Sequence, residues 1–180
     1  MQLVIPVSDR DHIRGSQTAV ITVVKYGDYQ CPRCQQAHDA IQVFRDRLAI
    51  IEPKLHASLR FVFRHFPVVP LHPFAEYAAE VAEAAGAQGQ FWAMHDYLFE
   101  HPLEQGNGAL FAFASRLNLD VHRFEQEVAE HIYLSRIQQD IASGIRSDVN
   151  GTPTFFINGH RHDVDSSPQG LWTAIKCASR

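Results

Sequence analysis

Residues 19–38 read AVITVVKYGDYQCPRCQQAH. The first eight are rich in β-branched side chains, the pattern of a strand buried on both faces. Gly27 and Asp28 end that run. Beyond Cys34, the apolar residues Ala37, Ile41, Phe44, Leu48 and Ile51 recur at steps of 4, 3, 4 and 3 and form one helical stripe. Pro53 is expected to stop this helix. A second strand is expected over SLRFVFRHF (58–66), closed by Pro67 and Pro70. Strand, helix and strand in so short a span predict a βαβ unit, with parallel strands and a right-handed crossover.

The two cysteines, Cys31 and Cys34, fall at the start of that helix. Cys31 takes the N-cap position. Pro32 takes N1, where a missing N–H costs nothing, and Cys34 takes N3. A side chain at the N-cap faces the free amides of N2 and N3, here Arg33 and Cys34, and the positive end of the helix dipole. Both favour a thiolate, the nucleophilic form of cysteine. Arg33 adds a nearby positive charge, which Asp28 could oppose. Cys34, one turn inside, is expected to be more buried. This division suits disulfide exchange, with Cys31 attacking and Cys34 resolving the mixed disulfide. Two other readings stay open. Cys34 and His38 could share a helix face and hold zinc, which needs further ligands that no second CxxC supplies. The pair could also be inert core cysteines.

The remainder divides by its periodicity. Residues 74–147 carry no strand pattern and predict a helical insertion. FAEYAAEVAEAAG is expected to end at Gly86, and Phe91, Met94 or His95, and Leu98 mark one side of the next helix. GALFAFASRLN is a third helix. Asp120 is an expected N-cap for a last stretch over 121–147, broken near residue 130. After Gly151 the period returns to two. TFFI and HRHDV flank Asn158-Gly159, a strong type I′ hairpin signal. A closing helix spans about 168–178, with Pro168 in its first turn and Leu171, Trp172 and Ile175 inward. The expected division is residues 1–70, an inserted helical domain over 71–147, and 148–180.

The 180 residues are 46% hydrophobic and 20% charged, an ordinary balance for a globular domain. A formal net charge of -4 gives no support for nucleic-acid binding. No stretch approaches the roughly 20 apolar residues of a membrane helix, and the first residues lack a secretory pattern. A cytoplasmic chain without membrane insertion is therefore expected, or a periplasmic one if the chain is a processed form. The three cysteines are too few for a disulfide-stapled secreted scaffold.

VVKYGDYQCPRC, LRFVFRHFPVVPLHPFAEYAAEVAEAAGAQGQFWAMHDYLF and VNGTPTFFING together resemble the DsbA-like thioredoxin-fold family. The likeness is greatest to its shorter soluble members and to the domains fused to some sodium/proton antiporters. It runs from about Asp11 to Cys177 with the motifs in family order. It implies an α/β thioredoxin fold (β-α-β, then β-β-α) interrupted by helices. It also implies a protein thiol–disulfide oxidoreductase with a redox-active Cys31–Cys34 disulfide and no bound cofactor or metal. Its partners would be protein or peptide thiols and disulfides together with a redox partner. Thr152-Pro153 becomes the cis-proline loop beside the cysteines, its Thr152 backbone pairing with an extended substrate strand. Relatives that act on glutathione conjugates carry Ser in place of the first cysteine, unlike this chain. The rival from another class is a non-catalytic thioredoxin-fold module that binds peptide or metal.

Two positions depart from the family pattern. Many relatives have Glu six residues before the first cysteine, as a proton relay to the resolving thiol; here it is Lys25. The expectation for Lys25 is a stem that carries its ammonium to solvent, the other reading being a base of lowered pKa. The dipeptide between the cysteines is Pro-Arg, where DsbA has Pro-His. Elsewhere, structural roles are expected for His65 and His72, and core positions for Phe91, Trp92, Phe111 and Phe113. Cys177 is expected to be a free thiol. His160 and His162 should share a strand face, with a two-histidine ligand set as the alternative.

Overall fold

A computed structural model describes residues 1–102, 107–162 and 167–178, without the side chain at position 107. Its elements are β1 (His12–Gly15), β2 (Ile21–Gly27), α1 (Pro32–Ile51), α2 (Pro53–Ala57) and β3 (Leu59–His65). Then come α3 (Ala75–Gly86), α4 (Phe91–Glu100), α5 (Asn107–Arg116), α6 (Val121–Ala129) and α7 (Leu134–Arg146). The chain closes with β4 (Thr154–Ile157), β5 (His160–His162) and α8 (Pro168–Ala178).

The strands form one sheet in the order β1-β3-β2-β4-β5. β2 and β3 are parallel, as a βαβ unit requires, and the other neighbours are antiparallel. One face, carrying Val23, Phe61 and Phe155, packs on Phe44 and Leu48 of α1 and Leu171 and Ile175 of α8. Val24, Tyr26, Val62 and Phe156 look the other way. There α7 covers them, with Tyr26 Oη and Ser143 Oγ 2.8 Å apart. Gly144 allows this approach, since a Cβ there would lie 2.8 Å from the Phe66 ring. The helices α3 to α6 build a third core, which reaches Tyr29, Cys31, Cys34 and Phe63 at the sheet's end.

Several expectations are met. Asn158 and Gly159 have φ of 47° and 80°, both positive as a type I′ turn needs. The Asp120 side chain accepts a 3.0 Å bond from the Arg123 amide, and the helical stretch breaks between α6 and α7. Phe91 is buried, and Trp92, Phe111 and Phe113 are partly buried against the same core.

Other expectations need correction. The sequence marks no strand before residue 19, yet β1 lies there; its four residues HIRG lack an apolar run and sit at the sheet edge. Pro53 ends α1 but also begins α2, because proline is suited to the first helical position. Ile51, placed on the buried stripe, is exposed at the helix end. α3 does end at Gly86 as expected, where the missing Cβ makes room for Phe91, but the positive φ falls at Gly89.

Candidate active site

The turn between β2 and α1 is fixed from several sides. A Cβ on Gly27 would lie 2.6 Å from the Phe63 ring, so only glycine lets β2 end there. The buried Asp28 carboxylate accepts from the Gln30 amide (2.8 Å), and its other oxygen accepts from the Val68 amide (2.9 Å) and pairs with His72 Nδ1 (2.8 Å). Asp28 thus ties the cysteine turn to the loop after β3, rather than opposing Arg33. Gln30 Oε1 accepts from the Phe74 amide at 2.6 Å and ties the same loop.

Cys31 is the N-cap residue, with extended φ and ψ of -76° and 118°. Its carbonyl accepts from the amides of Cys34 (2.9 Å) and Gln35 (3.1 Å). Pro32 is at N1 and exposed, and Cys34 is fully buried. The β2–β4 register sets Tyr26 against Thr154, which brings Thr152 and Pro153 beside the cysteine turn. The Thr152–Pro153 peptide is cis, and the Cys31 thiol donates to the Thr152 carbonyl at 3.4 Å.

The two thiols have opposed acidities. The Cys31 pKa is lowered to about 5, chiefly by a hydrogen bond from the Cys34 thiol, against a contrary effect of burial. The Thr152 side chain and the amides of Cys34 and Arg33 lower it further. No capping hydrogen bond is fully formed to the sulfur, so those amides act on it mainly as oriented dipoles. Thr152 pulls both ways, since its carbonyl accepts from the thiol while its hydroxyl favours the thiolate. The Cys34 pKa is pushed well up, first by burial and then by its bond to Cys31. The Arg33 side chain is exposed, and its contribution to Cys31 comes through its amide.

Residues 8–177 match the family described as thioredoxin. The chain belongs to that family. The Na(+)/H(+) antiporter NhaA 1 of Salinispora arenicola is 43% identical over 179 residues, which are 99% of this chain and 26% of the antiporter. The chain thus spans about a quarter of the length of the curated relatives it matches. Its fold is similar to that of BdbD from Bacillus subtilis (oxidised), with a TM-score of 0.80 at 19% identity, covering 96% of this chain and 95% of that one. It is also similar to alpha-DsbA1 of Wolbachia pipientis, with a TM-score of 0.77 at 18% identity, covering 98% and 94%. The fold is therefore the DsbA-like thioredoxin fold, with helices inserted between β3 and β4. Among the described residues no helix is long and apolar enough to cross a membrane.

Within this thioredoxin-family chain, Lys25 overturns the expectation of a solvent-reaching stem. It is 4% exposed. Its register opposite Phe63 and Phe155 points it to the α1 face of the sheet, beneath Cys34. Its ammonium donates to the Cys34 carbonyl at 3.1 Å and lies 4.3 Å from the centroid of the Phe99 ring. Burial lowers its pKa to about 8, against the raising influence of Cys34, Cys31 and Asp39.

Other polar groups escaped the sequence reading. Tyr29 is buried with its hydroxyl 3.0 Å from His95 Nδ1. Glu83 is buried in α3, with Oε1 2.7 Å from His12 Nε2 and 2.8 Å from His65 Nε2. Arg136 Nε lies 2.7 Å from its other oxygen, an ion pair off the hydrogen-bonding line. His65 and His72 thus pair with carboxylates. Glutamate in an alanine-rich helix is an ordinary solvent-facing pattern, so nothing local marked Glu83. His38 groups with His95 and Asp96 rather than with Cys34 among the described residues. Cys177 is exposed. His160 and His162 alternate on β5 and line a surface hollow with Cys177.

Proposed function

We propose that the chain is a thiol–disulfide oxidoreductase of protein or peptide substrates, with Cys31 as nucleophile and Cys34 as resolving thiol. The observation that carries this reading is the opposed acidity of two thiols at one helix start, the outer lowered to about 5 and the inner raised. The Cys31 thiolate attacks one sulfur of a substrate disulfide. That S–S bond breaks, the second substrate sulfur leaves and takes up a proton, and a mixed disulfide forms. Cys34 then loses its proton and attacks Cys31 Sγ. The substrate's remaining sulfur leaves as a thiol, and Cys31 and Cys34 are joined. Two electrons have passed to the substrate; the reverse sequence oxidises it. Thr152 and Pro153 hold the extended substrate beside the sulfurs, and Lys25 tunes the pair from below. Pro32 sets the start of the helix, while the Arg33 amide helps to hold the thiolate.

Exposed Val69, Leu71 and Phe74 lie in the loop that Asp28 and Gln30 tie to the cysteine turn. An apolar rim there suits side chains of an unfolded protein better than a small polar disulfide. On this reading residues 1–70 and 148–180 form the catalytic unit, and 71–147 the helical layer that covers the inner thiol.

The direction of transfer is set by the potential of the pair against that of its compartment. A Cys31 pKa of about 5 lies between those of thioredoxin, about 7, and DsbA, about 3.5. The reduction potential should fall between theirs, about -270 and about -120 mV. In a glutathione-poised cytoplasm such a pair is held mostly reduced; in an oxidising compartment it accepts electrons. The test is reduction of insulin disulfides, together with the potential in glutathione buffers. The expected result is turnover by the wild type and none by Cys31→Ser. Wild-type turnover no faster than background would leave a binding module.

A further inference from the structure

His38 on α1 and His95 and Asp96 on α4 meet below the sheet's edge. One ligand atom from each lies within 4.8 Å of the other two. His38 Nε2 and Asp96 Oδ1 are 4.0 Å apart, and both are buried without a hydrogen-bond partner. Two unsatisfied buried polar atoms each cost about 1–3 kcal/mol, so their placement calls for something between them.

The atoms on the far side of two of these groups are already engaged. His95 Nδ1 faces the Tyr29 hydroxyl at 3.0 Å, which leaves Nε2 as its free nitrogen. Asp96 Oδ2 accepts from Arg14 at 2.6 Å, which leaves Oδ1. Metal ligands are held in this way, with one atom fixed by a neighbour and the other presented. The cluster formed by His12, His65 and Glu83 contrasts with it, because both oxygens of Glu83 are already paired with side chains.

We propose that His38, His95 and Asp96 form a binding site for a divalent transition-metal ion of the zinc class, separate from the cysteine pair and clamping α1 to α4. Two imidazoles and one carboxylate suit Zn²⁺ with a fourth position for water. Metal bonds of about 2.0–2.1 Å bring tetrahedral ligand atoms to roughly 3.4 Å, so the His38–Asp96 gap must close by roughly 0.6 Å. Side-chain rotation supplies that. A cavity of about 30 Å³ adjoins the two histidines, between α1 and the sheet, large enough for one water beside the ion. The side chain of Asp96 is 26% exposed, which gives the ion a way in. Arg14, Lys25 and Arg45 line the same cavity and oppose a cation. Arg14 is paired with Asp96 and lies 4.4 Å from the Trp92 ring centroid, and Lys25 is engaged by the Cys34 carbonyl. Their effect is to weaken the site, not to remove its ligands.

The experiment uses Co²⁺ as a spectroscopic probe on a full-length variant with all three cysteines changed to serine, so that no thiol competes. The expected result is one Co²⁺ per chain with visible d–d absorption and no sulfur charge-transfer band. Zn²⁺ should displace it, and His38→Ala or Asp96→Asn should weaken binding at least tenfold. In the wild-type protein, Zn²⁺ should shift the imidazole ¹⁵N signals of His38 and His95 whether or not the variants fold. Absence of the visible band, binding that survives both substitutions, or unmoved His38 and His95 signals would overturn the proposal. A bridging water would then be the occupant of the gap.

Discussion

The Lys25 ammonium lies 3.1 Å from the carbonyl oxygen of Cys34, sealed between the sheet and the helix that carries both thiols. A buried cation beneath two sulfurs stabilises their thiolates, and with them the reduced form. Lys25→Met should therefore lower the reduction potential by about 30 mV, one tenfold step in the exchange equilibrium. Equilibration with glutathione buffers reads it. An unchanged or raised potential would show that the ammonium does not reach the sulfurs.

The same substitution has a stability signature. A lysine of pKa about 8 in the fold against about 10.4 unfolded carries a penalty of roughly 3 kcal/mol while charged. For a base with a lowered folded pKa, the penalty is full below about pH 8 and is relieved as pH rises from about 8 to about 10.4. Cys34, Cys31 and Asp39 face this group and raise its pKa, while His38 and His95 stay neutral beside it. Lys25→Met should thus be more stable near pH 7, by up to roughly 3 kcal/mol. Urea unfolding in one redox state should show that advantage disappear by about pH 10.

Cys31 gives a slope of the same sign in a lower pH window. Its folded pKa of about 5 lies below the ordinary value of about 8.5. The stability it adds is present above about pH 8.5 and is lost as pH falls through 5. Reduced protein should gain stability from about pH 5 to about 8.5, at about 1.4 kcal/mol per unit at most, and Cys31→Ser should flatten that rise. Thr152→Val removes the hydroxyl that favours the thiolate. It should raise the Cys31 pKa by about one unit, since hydrogen bonds to charged groups contribute about 1.5–3 kcal/mol. Thiolate absorbance against pH measures it.

Glu83 joins four elements, drawing His12 of β1, His65 of β3 and Arg136 of α7 to a carboxylate on α3. The contact with the two histidines holds its pKa far below the usual carboxylate range despite burial. Removing one member of a buried charged cluster costs about 3–5 kcal/mol. Glu83→Gln should lower stability by that amount, read as a shift in the urea midpoint with an unchanged slope.

The parts legible in sequence were those written in local pattern. The β-branched run before Gly27, the proline at the first helical position after Cys31 and the Asn158-Gly159 turn each state their geometry within a few residues. Thr152 and Pro153 became a site only through the family resemblance, because nothing local marks a cis bond. Lys25 was misread because a lysine in an apolar run usually extends to water; whether it can depends on Phe99 and α4, far along the chain. Glu83 was missed for the same reason, and His38 and His95 were singled out without the grouping with Asp96 that the fold gives them. Each is polar on a helix, and only the packing of α3 and α4 on the sheet turns it inward. β1 was too short to carry a period.

The pairing of β2 with β4 has a temporal meaning as well as a spatial one. Cys31 and the Thr152 carbonyl that accepts from it are separated by 121 positions. A ribosome that has finished β3 has made both cysteines but not yet the loop that flanks them. Until that loop is made, Cys31 lacks the Thr152 carbonyl that accepts from it in the fold. Its chemistry during that interval is that of an open helix start, and it becomes selective only when the segment after α7 docks.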